Sequence, residues 1–222
     1  KTYLKIFTFL IYCSIGVAVM TGCGSGNERV NADVSGVNVK DITIHRYDLG
    51  LFKLDPNHLM PGLESMKPAY RFFLEADLND QTRLSELQSY LESPRNIAYH
   101  AAVDSQFHDI RFLEKDLTLA FRHVLFYYPN FKIPRVYAYI SGGDYDYPVQ
   151  FADSVMLIGL DNYLGKGFMP YISDGLPAYR LDRMTPESVI VDCMKVLGRI
   201  TYPARVPGNT LLEQMVDAGK RI

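Results

Sequence analysis

The residues best suited to holding a ligand are four aspartates. Asp144, Asp146, Asp153 and Asp161 lie in or beside one hairpin-like unit. Asp144 and Asp146 are two apart in the Gly-rich loop Ser141-Gly-Gly-Asp-Tyr-Asp-Tyr-Pro, and could offer carboxylate oxygens to a hard cation such as calcium. Turn chemistry is the plainer account, because Asp favours turns and caps by bonding nearby backbone. The five histidines, at 45, 58, 100, 108 and 123, contain no His-Glu-x-x-His pair. His100 and His108 could share a helix face, but a zinc site needs more ligands. There is no Gly-x-Ser-x-Gly and no Gly-rich loop leading into a Lys-Ser/Thr helix. Gly142-Gly143 and Gly165-Lys166-Gly167 suit tight turns. Cys193, in Val-Ile-Val-Asp-Cys-Met, reads as a buried, inert thiol on an apolar helix. The pattern names no catalytic residue, no metal and no cofactor. It leaves Asp144, Asp146 and Asp161 as ligand-binding candidates.

The elements that must position these residues belong to an ordinary globular chain. It has 222 residues, of which 48% are hydrophobic and 22% charged, enough for a core in one domain. The formal net charge is −2 and no basic block exceeds two residues, which argues against nucleic acid as a partner. The 16 Tyr and 12 Phe would allow sugars to stack, although most fall in core phase.

The first 22 residues read as a secretory signal. Lys1 and Lys5 give a basic start, Ile6 to Met20 carries no charge, and Thr21-Gly22-Cys23 precedes the polar stretch Gly24 to Arg29. The apolar run is shorter than the roughly 20 residues of a spanning helix. Small residues ahead of a Cys resemble the lipobox of bacterial lipoproteins, with Met20 where Leu is commonest. The resemblance implies cleavage before Cys23 and acylation of its thiol by palmitate-type chains, and several chains together anchor firmly. Removal of residues 1–22 leaves 21 basic and 25 acidic side chains, a net charge of −4, and Cys193 as the one free thiol. No internal disulfide can then form, so the fold relies on its core.

Beyond Cys23, residues 23–38 read as a lipidated tether and 39–222 as a domain. Asp41 to Tyr47 alternates like a strand. Residues 57–128 are mainly helical, with segments at Ala69–Leu78, Thr82–Leu91 capped by Asp80, Ile97–Phe107 after Pro94, and Asp109–Tyr128. In the last of these, Ile110, Leu113, Leu117, Phe121, Val124, Leu125 and Tyr128 trace one stripe, and Phe126-Tyr127-Tyr128 is expected to be mostly core. The period then changes. Strands are expected near 135–140, 149–152 and 154–160, then a helix from Thr185-Pro186 to about Ile200, and a final helix from Thr210 capped by Asn209. The fold class is α+β: a helix-rich single domain with a small sheet.

Pro134-Arg-Val-Tyr-Ala-Tyr-Ile-Ser-Gly-Gly-Asp-Tyr and Ala152-Asp-Ser-Val-Met-Leu-Ile-Gly-Leu-Asp-Asn-Tyr-Leu-Gly-Lys are similar to the GldB family of gliding-motility-associated lipoproteins of Bacteroidetes. Leu211-Leu-Glu-Gln-Met-Val-Asp-Ala-Gly-Lys, Tyr127-Tyr128-Pro129 and the lipobox match as well, and residues 57–108 match by pattern alone. The resemblance implies a cell-envelope lipoprotein, lipid-anchored to a bacterial membrane, the outer rather than the inner. Other envelope proteins would be its partners in a gliding-motility or related assembly, and a C-terminal portion would lie beyond Ile222. It implies no biochemical activity. More weakly, a buried strand ending in Asp-x-Tyr-Leu-Gly and followed by a helix resembles zincin-like metallopeptidases. The matching helix reads Val189-Ile-Val-Asp-Cys-Met-Lys-Val, with Asp192 and Lys195 near the positions of the lost zinc ligands. The expectation is a non-enzymatic component. A divergent zincin-like metallopeptidase and a glycan-binding envelope module are the alternatives.

Overall fold

The computed structural model describes residues 32–75, 80–152 and 154–201, with Thr210, Glu213 and Met215. The expected signal segment, Cys23, Asp153, the Asn209 cap and nearly all of the last helix lie outside the described residues. The chain divides into two units at Gly36, and every strand and helix described belongs to the second, Val37–Ile222.

Four strands form one mixed sheet: β1 (Ile44–Arg46), β2 (Arg135–Tyr139), β3 (Val149–Ala152) and β4 (Val155–Gly159). Their order is β1-β2-β4-β3; β1, β2 and β4 run parallel, and β3 returns antiparallel to β4 at one edge. The domain is therefore α+β with a small sheet, as the change of period implied. β1 is shorter than the alternation from Asp41 to Tyr47 suggests. Before it, Ile42 N–H donates to Thr118 Oγ1 at 2.9 Å, and at its first residue Ile44 N–H donates to Glu114 Oε1 at 2.9 Å, so side chains rather than a further strand cover that edge.

Side-chain alternation sends the sheet's two faces into two cores. Val136, Ala138, Met156 and Ile158 join the main core with helices α5 (Pro94–Gln106), α6 (Arg111–Tyr127) and α9 (Ser188–Thr201). On the other face, Tyr137 meets His45 and Phe73, and Tyr139 packs against a smaller cluster. That cluster is built by α1 (Tyr47–Leu51), α2 (Leu59–Met66), α3 (Arg71–Leu74) and α4 (Gln81–Glu92). Two short helices, α7 (Met169–Ser173) and α8 (Ala178–Leu181), come after β4.

Local signals account for the helix ends. The Asp80 carboxylate accepts from Thr82 and Arg83 N–H, as an N-cap should. Pro94 opens α5 rather than merely preceding it, because at the first helical position its missing N–H costs no bond. At Thr210 the hydroxyl accepts from Glu213 N–H at 3.3 Å, while the Glu213 carboxylate accepts from Thr210 N–H at 3.2 Å: a capping box with Thr210 itself as the cap. The aromatic run on α6 departs from expectation. Phe126 is 45% exposed and Tyr127 53% exposed, since both sit off the stripe that buries Leu113, Leu117 and Phe121.

His100 on α5 stacks on Phe52 with ring centroids 4.3 Å apart. Burial holds its imidazole below the ordinary value of 6.5, against the pull of Asp48 and Asp104. The unfolded chain therefore takes up a proton first as the pH falls below 6.5, and stability is lost over that range. His100→Phe should remove this slope. Its melting temperature is expected to gain on the parent's progressively below pH 6.5, with no such trend above it, when thermal melts are recorded from pH 5 to 8.

Candidate functional site

The candidate site grows from the end of β4. The chain leaves Gly159 into a short 3-10 turn, Leu160–Asn162, which buries Asp161 completely. The Asp161 carboxylate accepts from Ser141 N–H at 2.7 Å, Ser141 Oγ–H at 2.8 Å and Gly143 N–H at 3.1 Å. The same Ser141 Oγ accepts from Asp144 N–H and from Asn162 Nδ2, both at 3.1 Å, which satisfies the hydroxyl fully. Burial pushes the Asp161 carboxyl up from its ordinary range, and the Ser141 and Gly143 donors oppose that shift. Gly142 and Gly143 have φ of +73° and +91°, so the turn these bonds hold is one that glycine adopts readily.

A second set of bonds straps the loop to the helices. Tyr145 Oη–H donates to Asp174 at 2.6 Å, and Tyr145 Oη lies 2.5 Å from Tyr99 Oη. Arg95 Nη2 donates to Asp174 at 2.5 Å. The Tyr145 and Arg95 hydrogen bonds hold the Asp174 carboxyl below its ordinary range. Further along, Arg180 donates to Tyr145 O at 2.8 Å and to Asp146 Oδ1 at 2.7 Å.

The three ligand candidates thus have separate surroundings. Asp161 anchors the turn from inside. Asp144 is exposed and accepts from Asp146 N–H at 3.2 Å across an Asx turn. Asp146 pairs with Arg180. Asp144 and Asp161 are linked through Ser141, but among the described residues no three His, Cys, Asp or Glu side chains gather as a metal-binding group. Nor does the loop present a row of rings: Tyr145 is tied to Asp174, and Tyr147 stands 65% exposed.

Beside the loop opens a cleft of about 660 Å³ between residues 145–149 and helices α8 and α9. Tyr147 and Tyr179 stand exposed on its lining. Arg180, Arg183, Lys195 and Arg199 line it, against Asp146 and Asp192. Asp192 accepts from Arg183 at 2.8 Å and from Tyr163 Oη–H at 3.2 Å, with Lys195 Nζ at 3.8 Å. Burial and the Asp192 carboxylate push the Tyr163 hydroxyl far up. Cys193, one residue on, is fully buried and its thiol is pushed up by burial, in keeping with an inert role. Of the cleft's charged residues, the sequence points to Asp192 and Lys195. It does not point to Arg180, Arg183 or the neighbouring Tyr179, although arginines three apart share one face of a helical turn.

Fold and cleft define a class: a helix-rich α+β domain with a cationic, tyrosine-flanked cleft beside its antiparallel edge strand. The chain belongs to the family of the gliding motility protein GldB, whose family model matches residues 27–222. It is therefore a gliding-motility-related protein of a lipoprotein family, and no helix among the described residues is long and apolar enough to cross a membrane. No curated protein and no solved structure matches it.

Proposed function

We propose that this chain is a non-enzymatic lipoprotein of the cell envelope, anchored to the outer membrane through acylated Cys23. Its role is to hold other envelope proteins in a gliding-motility or related assembly. The supporting observation is how the cleft's polar groups are used. Asp192 already holds Arg183, Lys195 and Tyr163, and Asp146 holds Arg180. A general base needs a free lone pair facing substrate, and a nucleophile needs a base beside it. Carboxylates neutralised by cations present a charged, ring-flanked surface instead, which suits binding.

The test is elemental mass spectrometry on the full chain extracted from the envelope in detergent, with cross-linking in the native envelope. The expected result is metal far below one equivalent, and cross-links to other envelope proteins. About one zinc per chain, the content of a catalytic site, would overturn the non-enzymatic reading. A chain that forms no cross-links would overturn the assembly role.

A further inference from the structure

We infer that the outer edge of β3, with the adjoining cleft, docks an extended acidic segment of a partner protein, which joins the sheet as a fifth strand. The inference rests on the binding role proposed above and gives it a partner chemistry.

The ladder shows which backbone groups are free. Gly159 N–H donates to Pro148 O at 2.9 Å, which makes 148 and 159 a hydrogen-bonded pair. Antiparallel pairs alternate, so Gln150 with Leu157 and Ala152 with Val155 bond inward as well. Val149 and Phe151 then turn their N–H and C=O groups away from β4, toward the outer edge of the sheet, with the Val149 side chain itself buried in the main core. Among the described residues no hydrogen bond reaches those outward groups. The opposite edge is treated differently, because Thr118 and Glu114 cover the amides at β1. A strand edge left with paired donors and acceptors is a template for an added strand.

The surroundings of that edge select the partner's charge. Val149 itself lines the cleft, next to Tyr147 and across from α9. Four cations line the same cleft against two carboxylates, on a chain whose net charge is −2. Arg199 is exposed and makes no ion pair among the described residues. A strand laid on β3 would carry alternate side chains past Lys195, which shares Asp192 with Arg183, and past Arg199, and acidic side chains there would meet the cleft's excess of cations over carboxylates. The exposed rings of Tyr147 and Tyr179 offer the aliphatic parts of such a segment a surface to pack on.

The test uses a fluorescent octapeptide alternating Glu with Val and Thr, its Lys counterpart, and a version N-methylated on alternate backbone amides. Binding to the full chain is followed by anisotropy, and amide hydrogen exchange is read at Val149 and Phe151. The acidic peptide is expected to bind at least about tenfold more tightly than the Lys peptide, the margin narrowing in salt. N-methylation of the amides facing β3 should cost about tenfold or more. The double substitution Lys195→Glu and Arg199→Glu should cost a similar factor, with circular dichroism unchanged. Protection should appear at Val149 and Phe151. Equal binding of the two charges, indifference to N-methylation, absence of protection, or no binding would each overturn the inference. So would sedimentation showing that a second copy of the chain occupies the edge. Cross-links to envelope proteins that map elsewhere on the domain would leave the assembly role standing while this docking mode fails, so the two outcomes are distinguishable.

Discussion

Arg46→Met is expected to destabilise the domain by about 3–5 kcal/mol, the cost of stranding a buried charge. Arg46 closes β1, and Asp48 lies in the first turn of α1. The guanidinium holds the carboxylate at both oxygens: Nε to Oδ1 at 2.9 Å and Nη2 to Oδ2 at 2.6 Å. Its third arm, Nη1, donates to Phe107 O at 2.8 Å, which ties in the C-terminal end of α5. The Asp48 side chain is 0% exposed and that of Arg46 11% exposed. Met fills much of the same volume but leaves the buried Asp48 carboxylate without its ion-pair partner and the Phe107 carbonyl without its donor. Urea denaturation of the two chains measures the difference, with the slope expected to be unchanged. Removing both charges, as Arg46→Met with Asp48→Leu, should recover most of the loss, since an apolar pair of similar volume is often no worse than a buried ion pair. A single substitution costing under about 1 kcal/mol would place this pair with exposed ones in its energetics.

That pair also shows where the sequence is legible and where it is not. Asp80 acts within three residues of itself, and its helix start can be read from residue type, whereas Pro94 opens a helix that the sequence pattern starts at Ile97, and Thr210 takes the capping role that the pattern gives to Asn209. The strands at 135–139, 149–152 and 155–159 can be read because the period changes after Pro129, a loop rich in Gly and Asp separates the first two, and the last is a continuous apolar run. Arg46 and Asp48 are only two apart, yet nothing in Arg-Tyr-Asp says that the chain passes from strand to helix between them and brings the two side chains together. The cleft is harder still. Its residues come from 145–149, 162–163, 179–184 and 192–199, and only the fold makes them neighbours. Asp192 and Lys195 are visible through the helix they share. Arg180 and Arg183 sit in a connection with weak periodicity, so no local pattern points to them. Asp161 stands out for a reason that differs from its surroundings: an acid beside a Gly-rich loop suggests a ligand, whereas here its oxygens face Ser141 and Gly143.

Because Asp161 faces the protein rather than a ligand, Asp161→Asn should destabilise the domain by about 2–4 kcal/mol, from the loss of charge-assisted bonds and one buried donor facing another. All three groups that face the carboxylate are donors: Ser141 N–H, Ser141 Oγ–H and Gly143 N–H. An amide offers only one acceptor oxygen, so its NH₂ must point at Ser141 or at Gly143. The Ser141 hydroxyl could rotate, but it would then compete with the donors it accepts from Asp144 and Asn162. Gly143 cannot easily yield, because its φ is +91° and the Arg95 guanidinium packs where a Cβ would sit. The defect should therefore spread along the loop to Tyr145 and Asp146 and weaken whatever the cleft binds. Asp144→Asn is the matched control: its side chain is exposed, its Asx turn survives in Asn, and the cost should stay within about 0.5 kcal/mol. Thermal melts of both variants, with and without millimolar calcium, separate a structural anchor from a cation site. An anchor gives a large loss for Asp161→Asn, almost none for Asp144→Asn, and no response to calcium. A calcium-dependent rise in the parent that disappears in both variants would instead make Asp144 and Asp161 ligands of one ion, with the Ser141 bonds serving to orient those ligands.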